Sequence, residues 1–169
     1  VNENCTLCGD CAAACQSEID SDYDFGMRKI KGAYLPFEMA FPARFVISPE
    51  IIGTDDAQRA KDACRYDAVD LTMEAKTLNL NVGSIVWATG WQPYDATKMD
   101  NLGFGQYPNI ITNMMMERLA APNGPTKGSI VRPSDGKEPA SVGFVQCAGS
   151  RDENHLPYCS YICCMASLK

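Results

Sequence analysis

Four cysteines near the start of the chain, Cys5, Cys8, Cys11 and Cys15, are spaced C-x2-C-x2-C-x3-C. That spacing lets one tight loop present three thiolates to a single iron–sulfur cube. Zinc is the competing metal, since thiolates suit both, but zinc sites usually come as two separated cysteine pairs, so the spacing favours iron. In runs of this kind the fourth cysteine commonly serves a different cluster, and the first cluster takes its last ligand from a distant cysteine. Cys64 fits that distant role. The alternative gives Cys15 the fourth site and leaves Cys64 as a small buried core residue.

A second group comprises Cys147, Cys159, Cys163 and Cys164. Cys159 and Cys163 are four apart, so a helix running through both would place them on one face. Cys164 would then point about 100° away from Cys163, and joining the same metal requires local distortion or a place at the frayed start of the helix. The four are read either as ligands of a second cluster or as buried core thiols. The Met run in NMMMERLAA is expected to be core packing, and His155, in the polar loop DENHLP, is expected at the surface and is assigned no role.

The 169 residues suit one ordinary domain or two small ones, and a hydrophobic share of 46% can fill a core. Net charge is −6, from 15 Lys and Arg against 21 Asp and Glu, with the basic residues scattered. No nucleic-acid surface is expected from that pattern. No apolar run reaches the roughly 20 residues a spanning helix needs, so no transmembrane segment is expected. Nine cysteines without a secretory signal point to metal in a reducing compartment rather than to a disulfide framework. A chain that begins at Val1 just before a metal motif and ends at CCMASLK is expected to be an internal piece of a larger protein.

The elements that must position these thiols can be read coarsely. Residues 1 to 31 are expected to be a cysteine-rich loop module followed by an acidic, flexible stretch, SEIDSDYDFG. Pro36 and Pro42 exclude a long helix from the next segment, which ends in a short strand around Phe45 to Ile47. Thr54 or Asp55 caps a helix through AQRAKDAC that delivers Cys64. VDLT and the alternating Leu78, Leu80 and Val82 read as strands, and SIVWATG as a strand buried on both faces. Thr112 or Asn113 caps the Met-rich helix. SVGFVQC is expected to be a strand that a turn, AGSRD, links to a helix starting near Pro157 and Tyr158.

The stretch VGSIVWATGWQPYD resembles the second flavin-contacting strand of two-dinucleotide-domain flavoproteins related to thioredoxin reductase. Together with YPNIITNMMMERL, GPTKGSIVRPSDGK and FVQCAGSRD followed by YCSYICCMASLK, it resembles the A subunit of heterodisulfide reductase and its relatives over almost the whole chain. ACRYDAVDL resembles the end of the second half of a two-cluster ferredoxin. The rest of that half is reduced, since PEIIGTDDAQRAKD contains no cysteine. Heterodisulfide reductase A typically retains both halves, so this departure favours the A subunit of the quinone-interacting membrane-bound oxidoreductases of sulfate reducers over a bifurcating relative.

The resemblance implies an α/β flavoprotein fragment of the thioredoxin-reductase-like type with an inserted α+β ferredoxin-like module. Residues 1–75 would be the [4Fe-4S] insert, 76–140 part of the FAD-binding domain, and 141–169 the start of a second Rossmann-like domain carrying the late cysteines. It implies FAD near Ala88, Thr89 and Gly90, two [4Fe-4S] clusters, and Lys169 facing the flavin. The implied partners are the other subunits of a membrane-bound quinone oxidoreductase complex, with adenylylsulfate reductase as acceptor. The implied location is cytoplasmic, peripheral to the membrane through those subunits. A heterodisulfide reductase A-type protein is the alternative within the family, and a zinc-structured interaction module the alternative outside it.

Overall fold

The computed structural model describes residues 1–168 and divides into two compact units, Val1–Ile85 and the chain from Val86 onward. The architecture is small and mixed. Lys169 lies outside the described residues, so its expected place at the flavin has no structural counterpart here.

In the first unit, helix α1 (Asp10–Ala14) is followed by a hairpin of β1 (Glu18–Asp20) and β2 (Lys29–Lys31), antiparallel with Ile19 opposite Ile30. The acidic stretch expected to be flexible is therefore ordered. Its turn is held by Asp24, fully buried, which accepts the Ser21 hydroxyl at 3.2 Å and pairs with Arg28 at 2.7 Å. A buried charge is stable only when paired and hydrogen-bonded in this way. A second short antiparallel pair joins β3 (Ala33–Tyr34) to β4 (Val46–Ile47), the latter where a strand was expected.

Helix α2 (Asp55–Asp62) starts at the Thr54 cap, whose hydroxyl accepts the Asp56 N–H at 3.3 Å and donates to Ile51 O at 2.6 Å. Its apolar face is narrow: Ala57 and Ala60 are fully buried and pack with Cys11, Cys15, Ala33, Ile51 and Val69 in one core. Alanine suits both requirements, with high helix propensity and no bulk between closely packed backbones. Close packing also explains Gly32, where a Cβ would come within 2.8 Å of the Ile51 side chain.

In the second unit, α3 (Asn113–Ala120) begins at Thr112, whose hydroxyl accepts the Met115 N–H at 3.2 Å. Leu119 is buried and the Met run only half-buried. The helix ends against Gly124, where a Cβ would overlap the Arg118 carbonyl oxygen. The last helix, α4, spans Cys163–Ser167.

Four expected strands are absent among the described residues. VDLT turns instead, because Asp70 Oδ1 accepts both the N–H and the hydroxyl of Thr72, at 2.9 and 2.8 Å. Residues 78–82, SIVWATG and SVGFVQC are irregular and exposed, with Val86 and Trp87 more than four-fifths accessible. A strand exists only through pairing, and among the described residues the two sheets contain just β1 with β2 and β3 with β4. The late helix also starts later than expected. The Tyr158 carbonyl accepts Ser150 Oγ at 2.6 Å and the Arg151 N–H at 3.1 Å, and Tyr161 has a φ of 60°, which no helix admits.

Candidate metal centres

Cys5, Cys8, Cys11 and Cys64 line one cavity, which Phe45, Tyr66 and Val69 complete. The chain reaches this arrangement by short local devices. Leu7 and Gly9 adopt left-handed conformations, with φ of 61° and 84°, which bend the loop between successive cysteines. The Gly9 carbonyl then accepts the Ala13 N–H at 3.0 Å, and α1 carries Cys11 inward. From the other side, α2 ends and Cys64 follows, and its Sγ accepts the Ala68 N–H at 3.3 Å. Asn2 ties the two sides together, donating from its backbone to Ala68 O at 2.9 Å and from its side chain to Asp67 O at 3.1 Å.

The electrostatics of this cavity resist ionisation of the bare Cys11 thiol. Burial, and then the neighbouring charges of Cys5, Cys64 and Cys8, push the Cys11 thiol up to about 11, against an opposing effect of the Ala12 backbone N–H. Four thiolates gathered in one apolar pocket need positive charge between them, and metal binding there must release protons. Among the described residues no three ligating side chains close on a single-ion site. A cube takes one thiolate at each of its irons, so its ligands stand around a volume instead of converging on a point. The cavity ringed by four cysteines fits that donor set.

Cys15 lies elsewhere. It is buried in the core between α1 and α2, and its thiol is raised by burial. The Ala33 backbone N–H opposes that shift, and the nearby charges are those of Asp56, Arg59 and Lys31. The residue that places it is Asp56, a side chain the sequence did not single out. Asp56 is 3% exposed, and its carboxylate accepts the N–H groups of Gln16 at 2.9 Å and Ser17 at 2.8 Å together with the Arg59 guanidinium at 2.6 Å.

The structure also brings the four late cysteines within electrostatic range. Cys164 is raised first by desolvation and then by Cys163, Cys147 and Cys159. The expected helix face through Cys159 and Cys163 is not formed, since α4 begins at Cys163. Cys163 and Cys164 instead occupy the first turn, where the chain is less constrained. Cys159 is turned by Tyr161, whose N–H reaches its Sγ at 3.4 Å, and Cys147 is itself left-handed with a φ of 58°. Of the seven left-handed residues other than glycine among the described residues, five stand beside the cysteine groups, Leu7, Asp67, Cys147, Arg151 and Tyr161, while Phe25 and Lys127 lie in other turns. Such conformations persist only where the surroundings hold them, and they concentrate at functional sites.

The segment 147–158 is a closed loop, with Leu156 donating to Gly149 O at 3.1 Å. Tyr94 packs beneath Gly149 and hydrogen-bonds through its hydroxyl to His155 Nδ1, the two rings meeting edge to face at 5.8 Å. His155 is thus a structural partner and not a free surface residue. No sequence signal links it to a tyrosine 61 positions earlier. Ala88, Thr89 and Gly90 are exposed, and Gly90 has a φ of 70° with open space where a Cβ would project. This irregular segment leaves its backbone exposed.

No family model matches the chain. Over 171 aligned positions, 99% of the chain, it is 43% identical to the A subunit of the H2/formate:CoB–CoM heterodisulfide, ferredoxin reductase of Methanococcus maripaludis. It is 41% identical over its whole length to the iron–sulfur A subunit of the CoB–CoM heterodisulfide reductase of Methanocaldococcus jannaschii. Against the A subunit of the ferredoxin/F420H2-dependent CoB–CoM heterodisulfide reductase of Methanosarcina acetivorans the identity is 38%. The chain spans 25%, 26% and 21% of these three relatives, about a quarter of their length. Its homologues are therefore heterodisulfide reductase A subunits, which are oxidoreductase components. These similarities support the heterodisulfide reductase reading above the quinone-linked one.

Proposed function

We propose that this chain is the electron-carrying portion of a heterodisulfide reductase A-type protein. Cys5, Cys8, Cys11 and Cys64 hold one [4Fe-4S] cluster, and Cys147, Cys159, Cys163 and Cys164 hold another. FAD lies against Ala88, Thr89 and Gly90. The observation that carries this reading is the cavity in which the first three cysteines of the opening motif meet Cys64. Similarity along the whole chain to components of heterodisulfide reductases supports it.

When bound, such clusters supply one-electron transfer. This chain's own residues supply the rest. Phe45 and Val69 keep the first site apolar, the Ala68 N–H lowers electron density on Cys64 Sγ, and the Tyr161 N–H does the same for Cys159. The exposed apolar segments around Trp87 and Val145 pair with the rest of a longer flavoprotein chain, in the division 1–75, 76–140 and 141–169. The partners are companion subunits of a reductase complex on the cytoplasmic side of the membrane. No helix among the described residues is long and apolar enough to cross a membrane.

One feature favours a second reading. The stretch before Cys64 lacks the cysteines of a second ferredoxin half, which suits a quinone-linked complex delivering electrons to adenylylsulfate reductase. Purification of the intact complex under anaerobic conditions tests both. The first reading expects a brown flavoprotein with about eight irons for these two sites, accompanied by heterodisulfide reductase companions. Quinone-reactive membrane subunits would shift the assignment to the second, and colourless protein with stoichiometric zinc would refute both.

A further inference from the structure

Arg151 stands four residues after Cys147, and its Nη1 reaches the Cys147 Sγ at 3.8 Å. The contact is built into the loop. Arg151 takes a left-handed conformation, φ 56°, and its N–H donates to Tyr158 O at 3.1 Å, while Ser150 Oγ donates to the same carbonyl at 2.6 Å. A non-glycine residue costs free energy in that conformation, so the loop is held to it by these bonds and by the Tyr94–His155 anchor below.

We infer that Arg151 sets the reduction potential of the cluster at the four late cysteines, through its guanidinium on the Cys147 sulfur. The inference rests on the reading of those cysteines as cluster ligands. Hydrogen bonds and positive charge at a ligating sulfur favour the form of the cluster with one electron more. Arginine keeps its charge at every accessible pH and directs it through a planar fork, so the effect does not titrate. Reduction here adds one electron and no proton, and removing the guanidinium makes that electron harder to add.

The test is an electron paramagnetic resonance titration of the full-length holoprotein with dithionite as reductant, in wild type, Arg151→Gln and Arg151→Lys. Arg151→Gln should lower the one-electron equilibrium constant at this cluster about tenfold, a shift of about 59 mV to lower potential. The cluster at Cys5, Cys8, Cys11 and Cys64 should keep its midpoint. Arg151→Lys should show a smaller shift in the same direction, because it keeps the charge but loses the fork. An unchanged midpoint in Arg151→Gln overturns the inference. Loss of iron from this site in Arg151→Gln also overturns it, since Arg151 would then hold the loop together and not tune the metal. Failure of the underlying reading looks different: wild type itself would show no signal from a cluster at the late cysteines.

Discussion

The Asp56 carboxylate accepts the backbone N–H of Gln16 at 2.9 Å, across 40 residues of sequence. With the neighbouring bond from Ser17, it fastens the chain directly after α1 to the first turn of α2. Cys15, the residue before Gln16, is thereby held in the core away from the cavity, while Cys11, one helical turn earlier, belongs to the same core and also lines the cavity. A single buried carboxylate separates the run of four cysteines into three that meet Cys64 and one that does not.

Replacing Asp56 by Asn should cost about 3 kcal/mol, since hydrogen bonds to a charged acceptor are worth about 1.5–3 kcal/mol each and not all are lost. The backbone N–H of Gln16 is the largest cause holding the Asp56 carboxyl far below the ordinary aspartate range, opposed by burial. The folded pKa is depressed, so this stabilisation is fully present above the unfolded value of about 3.9 and is lost as pH falls below it towards the folded value. Urea unfolding of wild type and Asp56→Asn should therefore differ most near neutral pH and converge in acid. A gap that widened on acidification would contradict this.

Cys64→Ala should remove or convert the first cluster, whereas Cys15→Ala should keep its iron, sulfide and spectrum at a stability cost of about 1 kcal/mol for the lost buried sulfur. Iron and acid-labile sulfide assays with low-temperature electron paramagnetic resonance decide between them. The opposite pattern would mean that the four-cysteine run is self-sufficient.

Gly149→Ala should loosen the loop that carries Cys147. Its φ is 72°, and a Cβ there would come within 2.7 Å of the Tyr94 ring. Strain and overlap together should cost about 3 kcal/mol, seen as roughly hundredfold faster amide exchange across residues 149–156. Adding Tyr94→Ala should relieve the overlap but not the strain, so the double variant falls short of additivity.

Gly90→Val in the full-length protein should reduce bound FAD, measured as released flavin per protein chain. Within this chain a Cβ at Gly90 meets nothing within 4 Å. The loss would thus come from obstructed cofactor approach and from strain at a φ of 70°. Full flavin content in that variant would remove this segment from the FAD site.

The sequence by itself determined what is local. The spacing of Cys5, Cys8 and Cys11, the Thr54 and Thr112 caps and the strand at Val46–Ile47 follow from interactions within a few residues, and the structure has them. Motif chemistry also proposed Cys64 as the distant partner. Tertiary structure alone decided that Cys64 and not Cys15 lines the cavity, because that outcome depends on Asp56 and Asn2 bridging segments some 40 and 65 residues apart. It likewise decided that SEIDSDYDFG is ordered, through the burial of Asp24, and that His155 has a partner in Tyr94. SIVWATG and SVGFVQC carry the composition of strands but stay exposed and unpaired. Hydrophobic pattern is a property of a segment, whereas a strand, a ligand set or a buried charge is a relation between segments, and only the folded chain supplies both sides.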